Sequence, residues 1–284
     1  MMRLLKIILN FYIRSSLHVA ICFVALAIVY NNVYELYVPF EYYVFLFCSA
    51  IAGYNLIKYG FIWLKKPLGF NFTLKLLSLM ATIVALAILI KLEISSYASI
   101  LLMMITAINL LYVLPIWKGH GLRYSPFFKL FSVSIVWAIL IIAVPQFLYY
   151  ETIPAARLIN DYRLILDPNE YIELHTLKIF ILVIALCIPF EIRDLKYDEE
   201  QLQTLPQVLG VQVSKYIGLC LCALYLLLLF FHNLKIEDFP YSEIIMVAIT
   251  GVAIWFSDKF KSDFYASLFV EAIPILWLTM YCIL

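Results

Sequence analysis

The chain has 284 residues, 65% of them hydrophobic and 14% charged, with a formal net charge of +1 and a mean hydropathy of +0.97. Such values lie outside the range of water-soluble domains, and the near-neutral balance excludes a nucleic-acid binder that works through a basic surface. Lipid is then the expected solvent. Helices of about 20 apolar residues satisfy their own backbone there, and the apolar runs are too continuous for the alternating strands of a barrel.

Apolar runs bounded by charge, Pro or Gly predict an all-α bundle of nine membrane spans in a single domain, 1–284. They lie near 8–30, 42–64, 73–90, 95–116, 128–150, 174–190, 212–232, 242–256 and 265–284. The first begins beside Arg3 and Lys6 as a signal peptide would, but no small-residue cleavage site closes it and Arg14 and His18 interrupt it, so it is expected to remain as a span. Arg14 and His18, four apart, are expected on one helix face, lining a polar cavity or pairing internally. Tyr42 and Tyr43, and Tyr149 and Tyr150, stand at span ends as an aromatic belt would. The stretch 151–173, with Pro154 and Pro168, reads as a surface loop. The eighth span is short and is expected to tilt or to extend towards Glu243.

If the N-terminus is cytoplasmic, the 20 Lys and Arg divide unequally. Lys91, Arg157, Arg163, Lys178 and Lys235 fall outside, Arg14 falls inside the first span, and all the others fall on the inner side. The positive-inside rule therefore predicts a cytoplasmic N-terminus and an external C-terminus. Six cysteines all lie in apolar runs and read as small hydrophobes rather than a disulfide framework. The four histidines lack the i, i+4 spacing of a zinc helix. No interrupted pair of helices and no inverted repeat marks the chain as a transporter.

Carboxylates are the informative residues, because each is costly at a span centre. Glu191, Asp194 and Asp198 continue straight out of the sixth span at spacing i, i+3, i+7. On a continuous helix they form one acidic stripe whose repulsion a cation would relieve. Hard oxygen ligands suit Mg²⁺, whereas pairing with Arg193, Lys196 and nearby lysines would give an ordinary solvated helix end. Elsewhere, Asp258 and Asp263 lie about the last inner loop. Glu271 sits inside span nine, where a carboxylate is expected to face a cavity or a basic partner.

The run from Glu191 to Asp198, followed by Gln203-Thr204-Leu205-Pro206 and Gly210, resembles the second aspartate-rich motif of the UbiA superfamily of intramembrane prenyltransferases. That motif reads D-x-x-D-x-x-x-D and precedes a K-T-L-P-x-x-x-G segment. Glu191 stands for the first aspartate, and Gln203 for the lysine. Tyr112, Pro115, Arg123 and Lys129 resemble the basic loop after the family's fourth helix. The first motif departs. Where N-D-x-x-D-x-x-x-D is expected, the chain reads Asn55 to Trp63, with Leu56, Tyr59 and Trp63 at the aspartate positions.

The resemblance implies a lateral cavity in which Mg²⁺ bridges the diphosphate of an isoprenyl donor, and a lipophilic acceptor captures the allylic cation. By that likeness Glu191, Asp194 and Asp198 hold at most one Mg²⁺. The candidates for binding substrate are Asn55, Lys58, Tyr59, Tyr112, Arg123, Lys129, Arg193 and Lys196. Membrane lipids, an isoprenyl diphosphate and a lipophilic acceptor are the implied partners. The alternative is a non-catalytic relative that keeps the cavity to bind a lipid or a membrane partner.

Overall fold

Long apolar runs become helices wherever lipid offers the backbone no other partner, and a computed structural model shows that outcome along the chain. The structure describes residues 2–33, 36, 38–65, 72–92, 94–114, 125, 127–148, 168–199, 202–233, 241–260 and 262–283, and among them there is no strand. The helices are α1 (Met2–Arg14), α2 (Leu17–Val33), α3 (Phe40–Lys65), α4 (Phe72–Lys91), α5 (Ser96–Val113), α6 (Phe128–Ala138) and α7 (Val144–Phe147). They continue as α8 (Pro168–Asp194), α9 (Leu205–Leu209), α10 (Val211–Asn233), α11 (Tyr241–Phe256) and α12 (Ile273–Ile283).

Six helical stretches among the described residues are long and apolar enough to cross a membrane: Phe40–Gly60, Phe72–Lys91, Phe128–Phe147, Glu173–Asp194, Val211–Phe231 and Tyr265–Ile283. The bent pair Lys6–Arg14 and Leu17–Val33 makes a seventh if it is one span, and Ser96–Tyr112 and Tyr241–Phe256 are shorter apolar helices. The protein is thus a multi-pass helical membrane bundle. Its centre is formed by α2, α8 and the α6–α7 stretch, which carry a large part of the buried core. By contrast α4 leaves Leu79, Met80, Ile83 and Ile90 exposed, as a lipid-facing helix does.

Each irregularity in these spans has a local cause. Between Ile139 and Ala143 the helix widens to a π turn, so that Val144 N–H bonds Ile139 O instead of Leu140 O. Pro145 has no N–H to replace it. The orphaned Leu140 carbonyl accepts the hydroxyl of Tyr42 at 2.6 Å. Tyr42 is fully buried, so it serves the core and not the aromatic belt. A second π turn, Tyr265–Val270, precedes Pro274 and leads through Glu271 into α12.

The first span is not the continuous helix expected over 8–30. It breaks at Ser15 and Ser16 with a bend of 60°, and Ser16 takes φ 63°. Two serines offer the backbone local hydrogen bonds that compete with the helix. A break in lipid exposes carbonyls that need partners, and here one partner comes from the next span: Asn55 Nδ2 donates to Ser15 O at 3.1 Å. Arg14 and His18 therefore do not share one helix face, and the chain does contain an interrupted helix.

A second feature of the interior is the ion pair between Lys178 and Glu243. The ammonium lies 3.3 Å from Oε1 and 3.4 Å from Oε2, with side-chain exposures of 0% and 2%. Lys178 is thus a buried helix residue rather than one of the outer loop charges. Tyr225 donates to Glu243 Oε1 at 3.0 Å, and its own oxygen is 2.8 Å from that of Tyr30.

Candidate functional site

The acidic run sits where α8 stops. The helix ends at Asp194, but Tyr197 and Asp198 still donate their N–H groups to Asp194 O, both at 2.8 Å. One more helical turn is thereby held in place, and the i, i+3, i+7 spacing brings all three acids together. The point they share is the ammonium of Lys129, in the first turn of α6. Its Nζ lies 3.2 Å from Glu191 Oε1, 3.5 Å from Asp194 Oδ2 and 3.4 Å from Asp198 Oδ2. A second cation closes the edge, since Arg193 holds Asp194 Oδ1 at 2.7 Å.

Glu191 is the innermost acid, 4% exposed in its side chain, and its Oε2 also accepts the Leu205 N–H at 3.4 Å. That contact fixes the segment Gln203-Thr204-Leu205-Pro206 against α8. Gln207 Oε1 accepts the Thr204 N–H at 2.8 Å and so stabilises the start of α9. Gly210 at φ 81° turns the chain from α9 into α10.

Mg²⁺ needs oxygens at about 2.0–2.1 Å in near-octahedral array. The acids supply hard donors, but the point on which they converge belongs to the Lys129 ammonium, and an ion and an ammonium cannot share it. Among the described residues no group of three or more His, Cys, Asp or Glu is arranged to hold a metal ion. As arranged, the three acids do not fit Mg²⁺ unless the lysine leaves.

The stretch replacing the first motif does different work. Asn55 is fully buried and committed to structure: beside Ser15 O it donates to Ser78 Oγ at 2.9 Å, and its Oδ1 accepts Ser16 Oγ at 2.8 Å. Tyr59 donates to Arg14 O at 3.1 Å. Lys58 donates to Ser16 Oγ at 3.0 Å and lies over the Tyr54 ring, with no carboxylate within ion-pair distance among the described residues. It nevertheless feels the charges of Glu271, Arg193 and Asp194.

The other candidates divide. Tyr112 is buried, with its ring stacked on Phe128 next to Lys129. Arg123 lies outside the described residues. Lys196 reaches away from the acids to Asp263 Oδ1 at 2.6 Å, and Tyr197 donates to Asp263 Oδ2 at 2.8 Å. These hydrogen bonds, that of Lys196 first, hold the Asp263 carboxyl below its ordinary range and the Lys196 ammonium above its own. A parallel tie joins Lys215 to Asp258 at 2.8 Å and lowers Asp258 in the same way.

Two participants were not assigned these roles from sequence. Lys129 stood among the substrate-binding candidates, yet it is the cation on which the acids converge; a lysine opening a span on the side of the acids was the signal available. His18 was expected near Arg14, yet its Nε2 meets Leu268 O at 3.1 Å. A carbonyl only accepts, so Nε2 carries the proton and Nδ1 accepts the Tyr12 hydroxyl at 2.9 Å. His18 thereby clamps the second π turn.

No protein-family profile, curated protein or solved structure matches the chain.

Proposed function

We propose that this chain is a nine-span UbiA-like bundle with a cytoplasmic N-terminus, whose cavity opens to the inner leaflet and binds a lipid without two-metal chemistry. One observation carries the reading: the Lys129 ammonium among Glu191, Asp194 and Asp198. A cation supplied by the chain occupies the point on which the acids converge, where the resemblance would place an exchangeable metal. Support for the span count comes from the two shorter apolar helices, which with the bent pair add three segments to the six long ones. The replaced first motif supports the same reading, because Asn55 stitches helices together and has no free donor to aim at a diphosphate.

The second reading is prenyl transfer from an isoprenyl diphosphate to a lipophilic acceptor. What favours it is that three carboxylates already face a single point. On that reading Lys129 swings away and one Mg²⁺ takes its place.

The two readings separate on Lys129→Met, measured as thermal unfolding of the purified protein in detergent with and without millimolar Mg²⁺. The lipid-binding reading expects no shift in the unmodified protein and a rise in the variant, where the acids have lost their cation. Mg²⁺-dependent prenyl transfer from farnesyl diphosphate by the unmodified protein would overturn it.

A further inference from the structure

Helices α1 and α2 together run from Met2 to Val33. As one straight helix they would be about 48 Å long, well beyond a hydrocarbon core of about 30 Å, and Arg14 would stand near the middle of the lipid, where a charge is costly. Leu17–Val33 alone reaches about 25 Å and comes close to the thickness of the core. The bend of 60° at Ser15 and Ser16 takes α1 out of the line of that span. Helix α3 holds the elbow: Asn55 donates to Ser15 O, Tyr59 to Arg14 O and Lys58 to Ser16 Oγ.

The side chains of α1 are sorted by face. Lys6, Asn10 and Arg14 recur every four residues and share one side, whereas Ile8 and Tyr12 occupy the opposite side, with Phe11 beside Ile8. The helix contains Arg3, Lys6 and Arg14 and no acid. Lys6 and Arg14 are exposed, and neither enters an ion pair among the described residues. Contacts set which way these faces point. The Tyr12 ring lies 5.1 Å from that of His18, and its hydroxyl donates to His18 Nδ1 at 2.9 Å. His18 belongs to α2 and is buried in the bundle, so the Tyr12 side of α1 turns towards the membrane interior and the Lys6 side turns away from it. Ile8 and Phe11 are 57% and 43% exposed, and the bundle leaves them to another apolar phase.

We propose that α1 lies along the membrane surface and recognises anionic lipid, with Ile8 and Phe11 among the acyl chains and Lys6, Asn10 and Arg14 at the head groups. Helices with Lys or Arg on one face and Leu or Phe on the other take this position. The charge selects the lipid: a zwitterionic surface offers cations that lack acidic neighbours no net attraction, whereas an acidic phospholipid surface does. On the orientation proposed above the leaflet is the cytoplasmic one. Nanodiscs expose both faces to the same lipids, so the test below does not depend on that orientation or on a ligand in the bundle.

The test uses the full-length protein in nanodiscs of phosphatidylcholine, with or without a third of it replaced by phosphatidylglycerol, and follows amide hydrogen exchange in the peptide that carries α1. Exchange is expected to slow in the anionic discs. Lys6→Gln should reverse that slowing about fivefold, the weight of one basic residue at such a surface. Lys6→Arg should keep it, and salt at about 1 M should erase it. In phosphatidylcholine alone Lys6→Gln should change nothing, which separates lost lipid contact from lost fold. In the anionic discs a membrane-impermeant maleimide, its position read by mass spectrometry, should label Asn10→Cys and spare Ile8→Cys. Equal exchange in the two lipids, or a slowing that survives Lys6→Gln, overturns the recognition of anionic lipid. Both cysteines spared would put α1 inside the hydrocarbon core, and both labelled would put it in water; either result overturns the placement at the surface.

Discussion

Replacing Lys178 with Met keeps a side chain of similar length but removes a cation that lies within 4 Å of both oxygens of Glu243. Both carboxylate oxygens lose a contact, at 3.3 and 3.4 Å, in a place where the pair is 0% and 2% exposed. The Tyr225 hydroxyl, at 3.0 Å, remains as a neutral donor to Oε1. Breaking a buried pair from one side costs about 3–5 kcal/mol, because the remaining charge stays in the interior after losing its opposite charge. The double variant Lys178→Met with Glu243→Met removes both charges and should recover a large part of that loss, since a well-packed apolar pair is often neutral. Reversible unfolding in mixed micelles measures both variants and yields their coupling. If the single variant lost less than about 1 kcal/mol, the pair would be behaving as an exposed salt bridge, and the burial argument would be wrong.

Asn55→Ala should leave the Ser15 carbonyl without that donor inside the bundle and cost about 1–3 kcal/mol in the same assay; an unchanged stability would mean that another donor serves the break. For the Lys215–Asp258 tie the sign follows from the lowered Asp258 value. Its contribution is complete above the unfolded aspartate value of about 3.9 and is lost as pH falls through the lower folded value. Lys215→Met should therefore flatten the acid limb of a plot of unfolding temperature against pH, and a limb of unchanged steepness would show that other carboxylates set it.

Helix positions were legible because they depend on little beyond the length and polarity of apolar runs. What the runs could not reveal was where a helix gives way. Ser15 and Ser16 carry neither Gly nor Pro, so the break in the first span had no strong local mark; the polar Asn55 and Lys58 facing it were the indirect sign. Pro145 and Pro274 did mark the two π turns, which begin upstream of the prolines themselves. Of the site, the spacing of Glu191, Asp194 and Asp198 foretold their convergence, since a periodicity of 3.6 survives the end of α8. Their partner could not be read, because Lys58 and Lys129 are both inner-side lysines in the sequence and only helix packing decides which one arrives. Lys178 was counted with the outer charges although it falls inside the span 174–190, because a lysine near a span end reads as one that reaches water, and only packing shows that Glu243 holds it in the core.

The break at Ser15 also bears on how the chain is made. The carbonyl freed there has no side-chain donor until residue 55 has been synthesised, and Asn55 in turn completes its bonds only when Ser78 on α4 arrives. During synthesis at the membrane, the leading pair of helices therefore carries an unsettled polar joint while more than sixty further residues emerge. The N-terminal segment, although made first, reaches its final conformation only after the hairpin of α3 and α4 is in place.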